Sequence, residues 1–471
     1  MRVLLVQPRT DRVIGTELPG MVSKELGTFP PLGILYLASW LRTEGGHEVA
    51  VLDLAARDIS LADFATHLQQ TQPEVVGITA ITHNLVGVRD VAELVKETLP
   101  DSTIVLGGPH VNAFGAEALA LSAVDYAIEG DGERSLGQLL ATLVSGGSLA
   151  SVPGLHYRDG GKPVWGAPPH YEKELDRLPF PARDLVNVSD YYYVLGKRST
   201  FATVLSSRGC PFKCTFCSTP HGGYRHRSAD NVVDELVGCL AAGAEEIHFV
   251  DDTFNLGKGR LAAVSQAILD RGLKVRWSFR GRADGITDES MALAARSGCV
   301  RVHLGVETGT DEGLVRLKKG ITLAEIERAV KLARKHHIVS AAYFILGCPH
   351  EPTAAKVWET VRFAIRLDPD FAMFNLLAIY PDTELFDEAV SKQLLAPGFW
   401  QEFIRNPRPD FVIPLWEEHL PREQLQGLLE RAYRRFYLRP RPIVRNLLEL
   451  RSFAELRRKF EAGWSILTRR N

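Results

Sequence analysis

The sequence predicts an α/β protein made of two successive series of parallel strands and helices, with a helical region at its C-terminal end. Short β-branched runs alternate with amphipathic segments over residues 1–150, and the same alternation returns from Thr203 to about Tyr380. A stretch rich in proline and glycine separates the two series. A chain of 471 residues has room for two or three domains. We therefore expect a first domain over 1–150, a linker over 151–198, a second domain over 199–385 and a C-terminal region over 386–471.

The first series predicts a Rossmann-like or flavodoxin-like domain. Its strand candidates are the apolar runs Val3–Val6, Glu48–Leu52, Val75–Ile78, Thr103–Leu106 and Tyr126–Ile128. Helices are expected between them at about 32–44, 60–70, 85–98, 114–122 and 133–145. Glycines cluster after two strands, in Leu106–His110 and Glu129–Glu133. Since ligands of open α/β sheets bind at the carboxyl ends of strands, these loops should line the ligand crevice.

The second series predicts a full or partial (β/α)6 barrel. Before it, Gly160-Gly161-Lys162-Pro163 predicts the turn of a short hairpin, and the proline-rich residues that follow predict an extended linker. Strand candidates lie near 203–206, 247–250, 275–279, 300–305, 341–346 and 374–379. The active site of such a barrel lies at the carboxyl ends of its strands. A cysteine motif follows the first of them.

Composition limits the possible functions. Charged residues make up 24% of the chain and the net charge is -2, so we expect no nucleic-acid binding, and a small-molecule or lipid substrate instead. No apolar run reaches the length of a membrane span, and the run Val3–Val6 is too short for a signal peptide. Three of the six cysteines fall within Cys210–Cys217, which is typical of a metal site in a reduced compartment. We expect a cytoplasmic protein.

The region from Pro421 onward is helical in pattern and strongly basic. Residues 421–471 contain 13 lysines and arginines against 5 acidic residues, a net charge of +8. Basic and aromatic residues interleave over 431–440 and again over 456–460. Such a helix can rest on anionic lipid, which favours peripheral membrane contact. The alternative is a solvated helix that caps the barrel.

The cysteine loop predicts a metal centre. Cys210, Cys214 and Cys217 place three thiols within eight residues, a spacing that can wrap three irons of a cubane and leave the fourth iron without a protein ligand. That open iron could chelate a substrate. A Cys3His zinc site that uses His221 or His226 is the alternative, which spacing alone leaves open.

The C-x3-C-x2-C spacing, with Phe216 just before the last cysteine, resembles the radical S-adenosylmethionine superfamily. The resemblance implies a 4Fe-4S cluster whose open iron binds S-adenosylmethionine and cleaves it to a 5'-deoxyadenosyl radical. It also implies a one-electron donor such as flavodoxin or ferredoxin. The family pattern also implies that Phe216 contacts the cofactor. It implies that Asp251 and Asp252 face the methionyl amine of S-adenosylmethionine and that Arg282 pairs with its carboxylate. Glu307 is implied at the ribose and Gly347 at the adenine. Singly, the two aspartates could instead form a helix cap, and Arg282 or Glu307 a rim ion pair.

The first domain resembles the cobalamin-binding half of cobalamin-dependent radical S-adenosylmethionine enzymes. The segments that carry the resemblance are Pro30–Ala38, Val76–Thr79, Leu106–His110 and Glu129–Glu133. It implies that Gly107 and Gly108 approach the corrin and that Thr79 and Thr82 bond its polar rim. The D-x-H-x-x-G motif of histidine-ligated cobalamin proteins is absent, since the chain reads Asp53-Leu54-Ala55-Ala56. We therefore expect no histidine below the cobalt, and His83 and His110 to be polar loop residues.

Together the two resemblances imply methylation of an unactivated carbon of a small molecule, lipid or natural product. A cyclase or rearrangement enzyme of the anaerobic magnesium-protoporphyrin monomethyl ester cyclase type would use the same parts without net methylation. A corrinoid-binding or redox-sensing protein without catalysis is a third alternative, which the open-iron spacing disfavours.

Overall fold

The computed structural model describes residues 1–9, 14, 27–193, 200–218, 223–257 and 259–440. Within these ranges the chain forms two large, mainly parallel sheets covered by helices, as the fold class predicted. No helix of the described residues is long and apolar enough to cross a membrane.

The first sheet contains seven strands. They are β1 (Arg2–Gln7), β2 (Glu48–Asp53), β3 (Val75–Thr79), β4 (Thr103–Gly107), β5 (Tyr126–Ile128), β6 (Leu155–Asp159) and β7 (Lys162–Trp165). The order across the sheet is β2-β1-β3-β4-β5-β6-β7. The first five strands are parallel, in the 2-1-3-4-5 order of flavodoxin-like domains. All five predicted strands are confirmed.

Five α-helices of the described residues connect these strands. They are α1 (Leu32–Thr43), α2 (Leu61–Thr71), α3 (Leu85–Thr98), α4 (Pro109–Phe114) and α5 (Gly132–Ser145). The helix expected at 114–122 was wrong, because the α-helix begins at Pro109 and a 3-10 helix spans Gly115–Ala120. Pro109 fixes φ at a value suited to the first helical turn, and Gly115 ends the helix with a φ of 51°.

The predicted hairpin after residue 151 forms β6 and β7. Both strands are antiparallel, and β6 pairs with β5, so the hairpin extends the first sheet. The predicted division of the chain at 150, 198 and 385 stays a prediction. The hairpin itself belongs to the first sheet, although its residues fall in the predicted linker.

The second sheet is the partial barrel. Its six parallel strands are β8 (Phe201–Val204), β11 (Glu246–Phe249), β12 (Arg276–Gly281), β13 (Cys299–Glu307), β14 (Val339–Leu346) and β15 (Phe371–Leu376), adjacent in chain order. Between β8 and β11 lies a separate pair, β9 (Ser207–Arg208) and β10 (Arg225–His226). Side chains that point outward from the barrel strands, such as Phe249, Trp277 and Phe374, are fully buried under the helices.

Nine helices follow in this half. They are α6 (Ala229–Ala241), α7 (Arg260–Asp270), α8 (Asp288–Arg296), α9 (Asp311–Arg316), α10 (Leu323–Lys335), α11 (Ala354–Leu367), α12 (Glu384–Ser391), α13 (Phe399–Arg405) and α14 (Arg422–Tyr437), counted over the described ranges. Six begin at a serine or threonine whose side chain accepts a backbone N–H of the first turn: Ser228, Thr287, Thr310, Thr322, Thr353 and Thr383. These caps fix where each helix starts after its strand.

Helix α14 covers the edge of β15. The Tyr433 hydroxyl donates to the Phe374 carbonyl at 2.9 Å and accepts from the Phe374 N–H at 3.1 Å. Tyr437 makes the same pair of bonds with Ala372, at 2.8 and 3.1 Å. The tyrosines Tyr433 and Tyr437 of the basic and aromatic segment 431–440 therefore bond to the barrel. The membrane-contact prediction for residues 441–471 lies outside the described residues.

Candidate active site

The cysteine loop leaves the barrel after β8 and is closed at its base. β9 and β10 pair antiparallel, with His226 opposite Ser207 and Arg225 opposite Arg208. Just inside this pair, Gly209 has a φ of 76°, and a Cβ there would lie 2.3 Å from the carbonyl oxygen of Gly223. Only glycine fits so close an approach of the two ends of the loop.

The three thiols lie in this loop with graded exposure. Cys210 and Cys214 are half-buried and Cys217 is exposed. The Cys217 N–H donates to the Cys214 carbonyl at 3.1 Å, and the Cys210 Sγ lies 3.5 Å from the Thr253 Oγ1. Burial raises the pKa of the Cys214 thiol, against the opposing charge of Lys319. None of the three described cysteines is part of a disulfide, so each can supply a thiolate to a metal.

The three sulfurs are spaced more widely than the ligand atoms of one metal ion would be. Sulfurs around one zinc would lie about 3.8 Å apart, given Zn–S bonds of about 2.3 Å. Among the described residues, three ligand atoms within 4.8 Å of one another occur at Cys348, His350 and Glu351 and not at the three cysteines. Of the histidines in the zinc alternative, His221 lies outside the described residues.

Asp251 and Asp252 follow β11 but face different surroundings. Asp251 is fully buried, and its carboxylate accepts bonds from the Ser206 N–H at 3.1 Å, the Ser206 hydroxyl at 2.8 Å and the Ser207 hydroxyl at 2.5 Å. Burial raises its pKa, while these bonds oppose the shift. Asp252 is exposed. The structure thus turns Asp251 toward the start of the cysteine loop, whereas Asp252 is exposed and accepts the Gly209 N–H.

Arg282, after β12, is engaged by protein groups. It is 5% exposed, and its guanidinium pairs with Asp284 at 3.0 Å and donates to the Lys319 carbonyl at 2.8 Å. Its Cζ also lies 3.5 Å from the ring centroid of Phe212, which belongs to the cysteine loop. Arg282 therefore supports that loop from below.

Glu307 ends β13 with a φ of 68°, in the left-handed region. Its carboxylate pairs with the buried ammonium of Lys319 at 2.7 Å. A non-glycine residue in this region is strained, and such strained residues are concentrated at functional sites. One oxygen is held by the lysine.

Gly347 follows β14 with a φ of 76°, and a Cβ there would lie 2.7 Å from Leu425 of α14. The Glu351 carboxylate accepts the N–H groups of Gly347 and Cys348 at 2.8 and 3.2 Å. Burial raises the pKa of Glu351 to about 7. Phe216 packs on the neighbouring apolar cluster that includes Leu317 and Cys348.

The carboxyl edge of the first sheet carries the other predicted ligand residues. Gly108 has a φ of 101°, and a Cβ there would lie 2.8 Å from the Ala80 carbonyl and 3.0 Å from the Thr79 hydroxyl. A Cβ at Gly107 would meet open space. These two glycines leave a bare backbone surface beside Thr79, a cradle that suits a flat ligand with a polar rim.

Thr82 and His110 form a pair at this edge. The Thr82 Oγ1 lies 3.2 Å from the His110 Nδ1, whereas the buried His110 Nε2 has no partner in the described part of the chain. Burial lowers the pKa of His110 to about 3, so its ring is neutral. The ring of His83 contacts Tyr380, just beyond β15, with centroids 4.9 Å apart. The ligand edges of the two sheets therefore face each other.

Comparison with known proteins agrees with this architecture. The model of the radical SAM superfamily matches residues 204–364, and that of the B12 binding domain matches residues 20–140. An uncharacterized methyltransferase from Pyrococcus horikoshii is 34% identical over 464 residues, covering 96% of each chain. The anaerobic magnesium-protoporphyrin IX monomethyl ester cyclase of Rubrivivax gelatinosus is 28% identical, covering 93% of this chain and 78% of its own.

Two further matches lie in the same group. The hopanoid C-3 methylase of Methylococcus capsulatus is 30% identical, covering 78% of this chain and 70% of its own. A structure of the radical S-adenosylmethionine methyltransferase TsrM from Kitasatospora setae, with cobalamin and a [4Fe-4S] cluster bound, superposes with a TM-score of 0.73. It shares 20% identity and covers 92% of this chain and 88% of its own, which shows a common fold.

The fold and these matches define a radical S-adenosylmethionine protein with a second, corrinoid-binding domain. The chain belongs to the cobalamin-binding branch of the radical SAM superfamily. Its cofactors are accordingly a 4Fe-4S cluster, S-adenosylmethionine and cobalamin. The zinc alternative is disfavoured by this membership.

Some residues around the site carried no role in the sequence. Lys319, which neutralises Glu307, and Phe212, whose ring lies against the Arg282 guanidinium, are brought in by the fold from other segments. Arg280 stands exposed at the end of β12, inside the barrel mouth. The signal for Phe212 was its place between the cysteines, and the signal for Arg280 was its place two residues before Arg282 at the end of a predicted strand.

Proposed function

We propose that this protein is a cobalamin-dependent radical S-adenosylmethionine C-methyltransferase that acts on an unactivated carbon of a small molecule, lipid or natural product. The observation that carries the proposal is the meeting of the two ligand edges, where His83 of the first sheet contacts Tyr380 of the second. A methyl donor and a source of radicals would share one cleft there. The full-length relative with a methyltransferase name supports the same activity.

In this proposal each edge holds one part of the chemistry. When bound, the cluster with S-adenosylmethionine supplies a hydrogen-abstracting radical, and cobalamin supplies a methyl group. Cys210, Cys214 and Cys217 would ligate the cluster. Side chains and backbone assigned to S-adenosylmethionine are Phe216, Asp252, Glu307 and Gly347, while Thr79, Thr82, Gly107 and Gly108 would hold the corrin.

Asp251 and Arg282 take a different place in the proposal. Asp251 holds Ser206 and Ser207, and Arg282 lies under Phe212. Both side chains are engaged by the polypeptide, so we assign them first to shaping the cysteine loop. The contacts with the methionyl amine and carboxylate that the family pattern implies for them are secondary.

The cluster assignment is tested by anaerobic reconstitution of the wild type and a Cys210/Cys214/Cys217→Ala triple variant. Iron, sulfide, zinc and corrin content and 5'-deoxyadenosine release are measured together. We expect about four irons in the wild type and none in the triple variant. A Cys239→Ala variant is the matched control, since that thiol is buried on α6. Iron retained by the triple variant, or zinc in the wild type, would contradict the assignment.

Methylation is tested with methyl-labelled S-adenosylmethionine, by following the label into product. Label in a product carbon supports the methyltransferase. Turnover without label would favour the cyclase alternative, which is supported by the 28% identity to the Rubrivivax gelatinosus enzyme over 93% of this chain. A wild type that carries the cluster and yet releases no 5'-deoxyadenosine would favour a protein without catalysis.

The partners are part of the same proposal. The chemistry needs one electron per cleavage, and we propose a flavodoxin or ferredoxin as donor. A cytoplasmic location and a peripheral membrane contact of the basic C-terminal region remain predictions. Flotation of the intact and 1–440 proteins with anionic vesicles tests the contact, because a cut after residue 440 keeps α14 on the barrel and equal behaviour of the two would argue against the contact.

A further inference from the structure

The base of the cysteine loop is held from the other domain. We propose that Asp131 and Glu133, which flank the start of α5, are positioning residues that keep the cysteine loop in its cluster-binding shape. The inference rests on the assignment of Cys210, Cys214 and Cys217 as cluster ligands. It goes further by giving the cobalamin-binding domain a part in retaining the iron.

The first contact is a forked ion pair. The two terminal nitrogens of Arg208 lie 2.6 and 3.2 Å from the two carboxylate oxygens of Glu133. The side chains are 14% and 6% exposed, so water screens the pair poorly. A two-bond fork fixes the direction of the guanidinium as well as its position. Arg208 stands two residues before Cys210, so fixing the Arg208 side chain also restricts the position of the Cys210 thiol.

The second contact holds the other strand of the hairpin. Arg225 of β10 pairs with the Asp131 carboxylate at 2.5 Å and donates to the Glu172 carbonyl at 3.0 Å. The Glu172 N–H in turn donates to Asp131 at 2.9 Å. Asp131 also lies 3.3 Å from Arg208. Each strand at the base of the loop thus supplies one arginine: Arg225 pairs with Asp131, and Arg208 pairs with both Asp131 and Glu133.

The barrel holds the same hairpin from the opposite side. Asp251 binds Ser206 and Ser207, directly before Arg208. The hairpin is therefore fixed between a carboxylate of the barrel and two of the first domain. Asp131 ends the loop after β5 and Glu133 lies in the first turn of α5, at the predicted cobalamin edge, so one short segment of chain borders both cofactor sites.

Loss of one partner should free the loop and shorten the life of the cluster. Removing Glu133 leaves the buried Arg208 charge without its main partner, which is strongly unfavourable. The hairpin would relieve this by moving Arg208 toward water, and Cys210 would follow. An exposed, flexible cysteine loop gives up iron faster to a competitor.

The experiment measures iron loss from the reconstituted full chain under anaerobic conditions, with an excess of a ferrous chelator and without substrate. We expect Glu133→Gln and Arg208→Gln to lose iron at least about tenfold faster than the wild type. Arg208→Lys, which keeps the charge and loses the fork, should fall between. The Glu133→Gln/Arg208→Gln double variant should be no worse than either single change, because the two groups act as a pair.

Tyr433→Phe is the control, since it removes bonds of α14 to β15 far from the hairpin. It should lower the unfolding temperature and leave the rate of iron loss near that of the wild type. The proposal is overturned if Glu133→Gln keeps its iron as long as the wild type, or if iron loss follows unfolding temperature alike in all variants. A wild type without a cluster would refute the cysteine assignment instead, which the triple cysteine variant tests by itself.

Discussion

Glu351 makes the stability of the barrel depend on pH in a range where few carboxylates titrate. Its side chain is 3% exposed, accepts two backbone N–H groups and accepts the Thr360 hydroxyl at 2.6 Å. Burial nevertheless raises its pKa from 4.5 to about 7. The folded state therefore favours the protonated acid. Its contribution to stability is fully present below about pH 4.5 and is lost as pH rises through about 7.

The magnitude follows from the shift. One pKa unit corresponds to about 1.4 kcal/mol, so a rise from 4.5 to about 7 amounts to roughly 3 kcal/mol. A Glu351→Gln variant keeps the shape and one acceptor but does not titrate. The free energy of unfolding of the wild type should fall by about 2.5 kcal/mol relative to the variant between pH 5 and pH 8, since part of the shift already acts below pH 5.

The assay is chemical unfolding of both proteins in urea at pH 5, 6, 7 and 8, followed by circular dichroism. Taking the difference between the two chains removes the titration of all shared groups. Glu384→Gln is the control, because that carboxylate is 50% exposed and pairs with Lys318 at the surface. A difference between wild type and Glu351→Gln that stays constant within about 0.5 kcal/mol over this range would refute the reasoning.

Three other predictions concern the barrel edge, the cysteine loop and the first sheet. Tyr433→Phe leaves the N–H and carbonyl of the fully buried Phe374 without these partners. The free energy of unfolding, measured in urea, should fall by about 1–3 kcal/mol, and a fall below about 0.5 kcal/mol would contradict the prediction. Arg282→Lys removes the flat stack on Phe212, so a ferrous chelator should take up iron from the reconstituted protein faster than from the wild type. The affinity for S-adenosylmethionine, measured by calorimetry, should change little. A weaker affinity with an unchanged rate of iron loss would instead assign Arg282 to the methionyl carboxylate. The wild type should lose stability as pH falls from 6.5 toward about 3, because the folded state keeps the His110 ring neutral, and His110→Asn should not show this loss. An unchanged corrin absorption spectrum of the variant would exclude cobalt ligation by His110.

The strands could be predicted because each is a local apolar run between turn residues. Val75–Thr79 and Tyr126–Ile128 were found within a residue of their observed ends, since β-branched and aromatic residues concentrate in them. The helix at Pro109–Phe114 was misplaced because the alanine-rich stretch after it matches a helical pattern. The positive φ angles at Gly108 and Gly115 set where this helix begins and ends. The periodicity of apolar residues carries no information about such backbone angles.

The candidate site could be predicted only as far as its motifs reach. Cys210, Cys214 and Cys217 are adjacent in the chain, so their spacing carries the chemistry. The Arg208–Glu133 pair joins residues 75 positions apart, and no local pattern links them. Arg282 was assigned from its place at a strand end, while its actual neighbours, Phe212 and the Lys319 carbonyl, come from segments that only the barrel brings together.

The edge of β15 has a consequence for how copies of this chain meet. A partial barrel ends in a strand whose outer N–H and carbonyl groups would otherwise be a template for a strand of another molecule. Two tyrosine hydroxyls of α14 occupy those groups at Ala372 and Phe374, so the sheet cannot grow at these positions by adding a neighbour's strand. The helix that closes the barrel thereby also guards the protein against edge-to-edge aggregation, and a chain cut before Arg422 would lose that protection.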